Sequence, residues 1–331
     1  MKTYCNPLDL PYRYQHMNEQ GRRYAFREGA DPTLVYFKGT YYLFVSMSAG
    51  FFYSDDLLHW DFHPDPDLLG RAKSLRWLCS DFAGVERYLD EGVWPHPGCL
   101  LSNGSGSYGP TISEHILMVL LMLLRRMPEY QADLAERRWT SHMPIRSVTG
   151  SHIVMLGTGD IGRHTARRLK ALGASITGVC RSGRSSEPAF DRVLPVSELD
   201  NVLPRADALV MALPATSETA GVLSRARIAL LPPHALVVNV GRGAAIDQEA
   251  LVEALQSRRI AGAALDVMVP EPLPADHPLW DCPNTIITPH MSGNMALGLT
   301  CDLNVDMFCA DLVRYAAGEL PLHLVDRVRG Y

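Results

Sequence analysis

The chain has 331 residues, 47% of them hydrophobic, enough to bury large cores and to build two domains with room for a further module. A formal net charge of −5, with no long block of like charge, excludes the electrostatic footprint of a nucleic-acid binder or an anionic-membrane binder. The seven cysteines form no CxxC pair and no disulfide-like spacing, which points to buried thiols in a reducing compartment. The start, MKTYCNPLDLPYRY, lacks the apolar core of a signal peptide, and the greasiest run, residues 116–124, is too short to span a bilayer. The expectation is a soluble, cytoplasmic protein with no nucleic-acid or membrane partner and no metal.

Residues 1–65 are rich in aromatic and turn residues and read as short strands. The segments 34–37 and 41–44 flank Lys38-Gly39-Thr40 and predict a β-hairpin with a glycine in its turn. Near residue 65 the texture changes to alternating helix and strand. Expected elements are a helix over 65–73, a strand over 75–79, a short helix over 85–89 and a strand over 98–101. The Gly/Ser-rich NGSGSYGP, residues 103–110, then leads into a long helix over 111–127. Pro128 ends that helix or opens the next. Beyond Gly150 strands are expected at 152–156, 175–179, 208–211, 236–239, 261–265 and 285–287. Helices are expected at 160–172, 197–203, 224–230 and 247–257, with a last amphipathic one over 299–317. Short apolar strands alternating with helices imply an α/β fold, a parallel sheet covered on both faces.

The strand at 152–156 runs directly into Gly157-Thr158-Gly159-Asp160-Ile161-Gly162 and a helix. That is the spacing of a dinucleotide site. The first glycine allows the tight turn, the second lets a pyrophosphate approach the backbone, and the third packs helix on strand. The phosphates sit at the helix N-terminus, where free amides and the macrodipole favour an anion. The bland reading is a glycine-rich turn with no ligand. An acidic residue closing the second strand would bind the ribose 2′-hydroxyl of NAD. Here that strand ends in Cys180-Arg181-Ser182-Gly183-Arg184, with no carboxylate, so Arg181 and Ser182 favour NADP over NAD. The alternative is that Arg181 and Arg184 are solvated loop charges.

Three further signals follow later strands. Arg242 lies in VVNVGRG, Asp266 and Glu271 in AALDVMVPEPLP, and His290 in TIITPHMSG. In an open parallel sheet the carboxyl ends of the strands share one edge, so Arg242, Glu271 and His290 can converge there. Together they suit hydride transfer at a 2-keto or 2-hydroxy acid. A histidine exchanges a proton with the carbonyl oxygen, a carboxylate orients the imidazole, and an arginine holds the substrate carboxylate or polarises the carbonyl. Taken singly, each residue reads as an ordinary surface histidine or salt bridge.

With those residues in place, the chain from about 68 to 324 resembles the D-isomer-specific 2-hydroxyacid dehydrogenases, the family of glyoxylate/hydroxypyruvate reductases and phosphoglycerate dehydrogenases. The stretches that carry the resemblance are LRWLCSDFAGVERYL, SGSYGPTISEHIL, VMLGTGDIG, ALPATSET, NVGRGAAIDQEAL, AGAALDV, EPLP, HPLW and TPHMSG, in the family's order. It implies a Rossmann-type doubly wound sheet over 108–294. It also implies a flavodoxin-like substrate domain, incomplete here, over 66–107 and 295–331. It implies that His290 is the acid/base, Glu271 its partner and Arg242 the substrate-binding arginine. Ala83 and Gly84 would bind the substrate carboxylate through backbone amides. Leu213, Pro214 and Asp266 would lie beside the nicotinamide or its ribose, with Thr219, Val240 and Gly293 completing the cofactor set. A homodimer joined through the dinucleotide domain is implied as well.

Residues 1–65 depart from that family and form a β-rich N-terminal segment, with a fusion junction expected near 62–68. They resemble the first blade of five-bladed β-propeller glycosidases, in NPLDLPYRYQ, REGADPTLVYFKGTYYLF and SDDLLHW. Asp31 matches the general base of those enzymes, but inverting hydrolysis needs a second carboxylic acid, which has no counterpart here. The expected function is therefore a 2-keto acid reductase. The alternatives are a cofactor-binding but catalytically silent fusion protein and, more remotely, a carbohydrate-binding module.

Overall fold

The computed structural model describes residues 73–331, apart from the side chains of residues 87 and 91, and, before them, the backbone of residues 16–17, 23–24, 33–37, 39–44, 50–54 and 61–64. The chain divides into two compact units. One comprises Met1–Arg76 with Asp90–Cys99, the other Trp77–Leu89 with Leu100–Tyr331.

In the first unit β1 (His16–Met17) pairs antiparallel with β2 (Arg23–Tyr24). A four-stranded antiparallel meander follows: β3 (Thr33–Phe37), β4 (Thr40–Phe44), β5 (Gly50–Ser54) and β6 (Asp61–Pro64). The expected hairpin is β3–β4. Its pairs run from Thr33↔Phe44 to Phe37↔Thr40, and Gly39 supplies the left-handed φ of +91° that the tight turn needs. The helix expected over 65–73 falls almost wholly outside the described residues, as does Asp31.

The second unit contains a seven-stranded parallel sheet: β9 (His152–Leu156), β10 (Ser175–Cys180), β11 (Arg192–Pro195), β12 (Ala208–Met211), β13 (Leu236–Asn239), β14 (Gly262–Leu265) and β15 (Thr285–Ile287). The order is β11-β10-β9-β12-β13-β14-β15, so the chain winds outward in both directions from β9. Strands β12, β13 and β14 are buried along their whole length, which is why they read as unbroken apolar runs. One sheet face packs Val154, Leu156, Leu209, Met211 and Val237 against Ile228, Leu251 and Leu255. The other packs Ile153, Met155, Val210 and Val238 against Ile116, Leu120, Leu123 and Leu169. The edge strand β11 has no counterpart among the expected elements. It is only partly buried and ends at Pro195, so it has neither a long apolar run nor a clean alternation.

The long helix spans Gly109–Leu124. A second, Met127–Ala135, carries Pro128 in its first turn, which settles the two readings of that proline in favour of a new helix. Beside the sheet, β7 (Trp77–Cys79) and β8 (Leu100–Ser102) form a separate two-stranded parallel pair. The Trp77 ring lies 5.6 Å from Phe308 and 5.1 Å from Tyr315 on the last helix, Gly298–Ala316. Its indole N–H donates to Ser102 Oγ at 2.8 Å. Among the described residues, no helix is long and apolar enough to cross a membrane.

Candidate active site

The glycine loop lies between β9 and the helix Asp160–Ala171. Gly157 has φ +104°, and a Cβ there would collide with the carbonyl of Ala212. A Cβ on Gly162 would collide with the carbonyl of Gly157. Gly159 differs: nothing lies within 4 Å of where its Cβ would be, so it faces open space at the helix N-terminus. Two glycines are thus required by the fold, and the middle one leaves room for a group that comes from outside. This arrangement fits a pyrophosphate.

The Asp160 side chain has a partner within the fold. Its carboxylate accepts the Gly109 N–H at 2.7 Å, tying the loop to the long helix. Burial raises its pKa, partly offset by the charge of His164. At the end of β10, the Arg181 guanidinium lies 5.4 Å from the centre of the Tyr331 ring, and Ser182 Oγ donates to the Arg184 carbonyl at 3.2 Å. The Leu213-Pro214 loop is closed by Thr219, whose hydroxyl donates to the Pro214 carbonyl at 2.7 Å. Val240 is buried, and Gly293 lies so close to Tyr108 and Ile112 that a side chain would not fit.

His290 follows β15, and its Nδ1 sits 2.8 Å from Glu271 Oε2. The other Glu271 oxygen accepts the Met268 N–H at 2.9 Å, which fixes the carboxylate facing the ring. The backbone of His290 has φ +51°, unusual for a non-glycine, and its N–H reaches the carbonyls of Asp266 and Thr288. Asp266, 1% exposed, holds the same loop from below. It accepts from Thr288 Oγ1 at 2.6 Å and from the N–H groups of Met291 and Ser292 at 2.9 and 3.0 Å. Burial pushes the Asp266 pKa up, but the bonds from Ser292, Thr288 and Met291 outweigh it and hold the group ionised below the usual aspartate range. The structure therefore engages Asp266 in shaping the His290 loop. Nε2 of His290 has no protein partner among the described residues, and the side chain is 49% exposed.

Arg242, just past β13, donates from Nη1 to the Gly241 carbonyl at 2.8 Å and from Nε to Glu86 Oε1 at 2.7 Å. Its guanidinium lies against Gly84, where any side chain would collide with it. The loop at Gly84 is held by its carbonyls. Asp81 O accepts from Tyr108 Oη and Asn304 Nδ2 at 2.8 and 2.7 Å. Phe82 O accepts from Gly104 N at 3.1 Å, and Ala83 O from Asn103 Nδ2 at 2.8 Å. The N–H groups of Ala83 and Gly84 have no acceptor among the described residues.

Sequence reasoning singled out Arg242, Glu271, His290, Ala83 and Gly84, and missed Glu86, Asn103, Tyr108 and Asn304. Glu86 stood two residues past Gly84, but nothing in the pattern linked it to an arginine 156 positions away.

A doubly wound parallel sheet with an open glycine cradle, a His–Glu pair and an arginine at one site defines a nicotinamide-dinucleotide oxidoreductase. Residues 117–292 match the model of the D-isomer specific 2-hydroxyacid dehydrogenase NAD binding domain. The chain is 30% identical over 283 residues to glyoxylate/hydroxypyruvate reductase A of Serratia proteamaculans, covering 84% of this chain and 88% of that one. A D-isomer specific 2-hydroxyacid dehydrogenase family protein of Aeromonas salmonicida superposes with a TM-score of 0.70 at 38% identity, covering 79% of this chain and 82% of its own. The NADPH-dependent glyoxylate/hydroxypyruvate reductase of Sinorhizobium meliloti, solved with NADP and sulfate, gives 0.71 at 30% identity, covering 82% and 85%. The chain belongs to the D-isomer specific 2-hydroxyacid dehydrogenase family. It is an NAD(P)-dependent dehydrogenase, and NAD or NADP fits its cofactor site.

Proposed function

We propose that the protein reduces a small 2-keto acid of the glyoxylate or hydroxypyruvate type, with NADP(H) as the preferred cofactor. The observation that carries this reading is the site itself: the His290–Glu271 pair, Arg242 and the free amides of Ala83 and Gly84. When bound, the reduced nicotinamide supplies the hydride. The Ala83 and Gly84 amides and Arg242 hold the substrate carboxylate and set the carbonyl plane. His290 Nε2 gives its proton to the carbonyl oxygen and takes it back in the reverse direction. Glu271 keeps the ring oriented through Nδ1, which leaves Nε2 for the exchange with the carbonyl oxygen. The absence of a carboxylate after β10, with Arg181 and Ser182 in its place, supports NADP over NAD.

Assembly as a homodimer belongs to the same reading, supported by the exposed Leu134, Trp139 and Met143 in and after the helix Met127–Ala135. NADPH oxidation against a panel of 2-keto acids tests the function. The expected outcome is turnover of glyoxylate or hydroxypyruvate that is lost in His290→Ala. No turnover above that control, with NADPH still bound, would instead leave a silent cofactor-binding protein.

A further inference from the structure

Glu86 is an acidic group on the substrate side of the site whose partner is Arg242. It lies two residues beyond the free amides of Ala83 and Gly84, and its Oε1 accepts from Arg242 Nε at 2.7 Å. Its other oxygen, Oε2, would stand 2.8 Å from a Cβ on Gly84, so the carboxylate is turned toward the anion-binding loop. Burial raises its pKa, but the hydrogen bond and charge of Arg242, with a contribution from His290, bring it below the ordinary glutamate value. It is therefore ionised at neutral pH. With Gly241 O on Nη1 and Glu86 on Nε, Arg242 keeps Nη2 over Gly84 as the nitrogen without a protein acceptor among the described residues.

Counting charges shows what this does. With His290 protonated for donation, Arg242 and His290 contribute two positive charges, and Glu86 and Glu271 two negative ones. A substrate with a single carboxylate meets Nη2 and the loop amides. A second negative charge next to that carboxylate finds no uncompensated cation and lies within Coulomb range of the Glu86 carboxylate beside Arg242 and Gly84.

We propose that Glu86 is a specificity-determining residue that makes this site select 2-keto acids carrying one negative charge and reject those carrying two, such as dicarboxylates. This rests on the reading of Arg242 and the Ala83-Gly84 loop as the substrate-carboxylate site. The discrimination is built from repulsion as well as attraction. Part of the guanidinium's charge goes to neutralising Glu86, so overall anion affinity is lower in return.

Oxamate and oxalate are suitable probes because they are nearly isosteric and differ by one charge. Both are titrated calorimetrically into the full-length protein with NADPH bound, for the wild type, Glu86→Gln and Glu86→Asp. The expected result is a wild-type preference for oxamate that shifts toward oxalate by about tenfold or more in Glu86→Gln, as removal of a close like charge should give. Glu86→Asp, which keeps the charge on a shorter stem, should retain most of the preference. An unchanged oxamate-to-oxalate ratio in Glu86→Gln, or an equal loss in Glu86→Asp, overturns the proposal. Failure of the wild type to bind either anion would remove the carboxylate site and this proposal with it. A shifted ratio without turnover of any 2-keto acid would sustain Glu86's role while removing the reductase reading.

Discussion

The two halves of the site are built by different means. The cofactor edge grows out of a sheet whose central strands are buried along their whole length, and its glycine loop is held by close backbone packing. The substrate loop at Asp81, Phe82, Ala83 and Gly84 stands beside only a two-stranded pair and is held by hydrogen bonds from Tyr108, Gly104, Asn103 and Asn304 to its carbonyls. Packing is cooperative and tolerates little volume change. A polar frame costs less to assemble and is more easily broken at one point. Cofactor binding should therefore survive damage that abolishes substrate binding.

The largest effect separates chemistry from both halves. His290→Gln keeps a polar side chain of similar reach but has no titratable proton. It should lower kcat by roughly 10²- to 10⁴-fold, while the NADPH dissociation constant by fluorescence stays near the wild-type value. A comparable loss of NADPH affinity would mean that His290 acts by shaping the cofactor pocket.

Next comes Asp266→Ala, at the sheet edge beneath His290. It leaves the Met291 and Ser292 amides and the Thr288 hydroxyl without their acceptor. Each buried donor so orphaned costs about 1–3 kcal/mol, so a loss near 3 kcal/mol in urea unfolding is expected. On the substrate side Asn304→Ala removes the bonds to Asp81 O and Ser107 Oγ. It should cost about 1–2 kcal/mol and raise KM for the 2-keto acid more than it raises the NADPH dissociation constant. Equal effects on both ligands would erase the contrast between the two halves.

Acid should weaken the protein in two stages. His115 and His164 have pKa values lowered below the ordinary 6.5, chiefly by burial, so both are neutral in the folded state. Groups with depressed folded values contribute stability that is full above the ordinary pKa and is lost as pH falls through the folded one. Asp266 and Glu86 are likewise depressed, below ordinary values of 3.8 and 4.5. The urea midpoint should thus fall first below about pH 6.5 and again below about pH 4. A midpoint constant from pH 7 to 5 would show that the two histidines are solvated.

Much of this was legible in the chain because it depends on local pattern. The glycine spacing, the apolar strands and the placement of Arg242, Glu271 and His290 after successive strands follow from a repeating unit whose rules are short-range. Strand β11 was not legible, being a partly buried edge that ends in proline. The partners that hold the substrate loop were not legible either. Asn304 reaches Asp81 across 223 positions, and Glu86 reaches Arg242 across 156. Single polar side chains carry no periodicity, so only the folded geometry identifies their partners. The same holds for Asp266. Its position after β14 suggested a group beside the nicotinamide or its ribose, and nothing in the pattern showed that its oxygens also accept from the amides and hydroxyl of the His290 loop.

The smallest expected effect on stability is also the most specific test of the cofactor edge. In the glycine loop the three positions look equivalent as letters, yet a methyl group would meet Ala212 O at Gly157, Gly157 O at Gly162, and nothing at Gly159. Gly159 has φ −71°, a value any residue adopts. Alanine there costs no backbone strain and removes conformational freedom from the unfolded chain, an effect of about 0.4–1 kcal/mol in favour of folding. The methyl would occupy the space left for the pyrophosphate at the helix N-terminus. Gly159→Ala should therefore match or slightly exceed the wild type in urea midpoint while binding NADPH at least tenfold more weakly, whereas Gly162→Ala should lose stability. If Gly159→Ala binds NADPH normally, the open space above residue 159 is not where the phosphates lie.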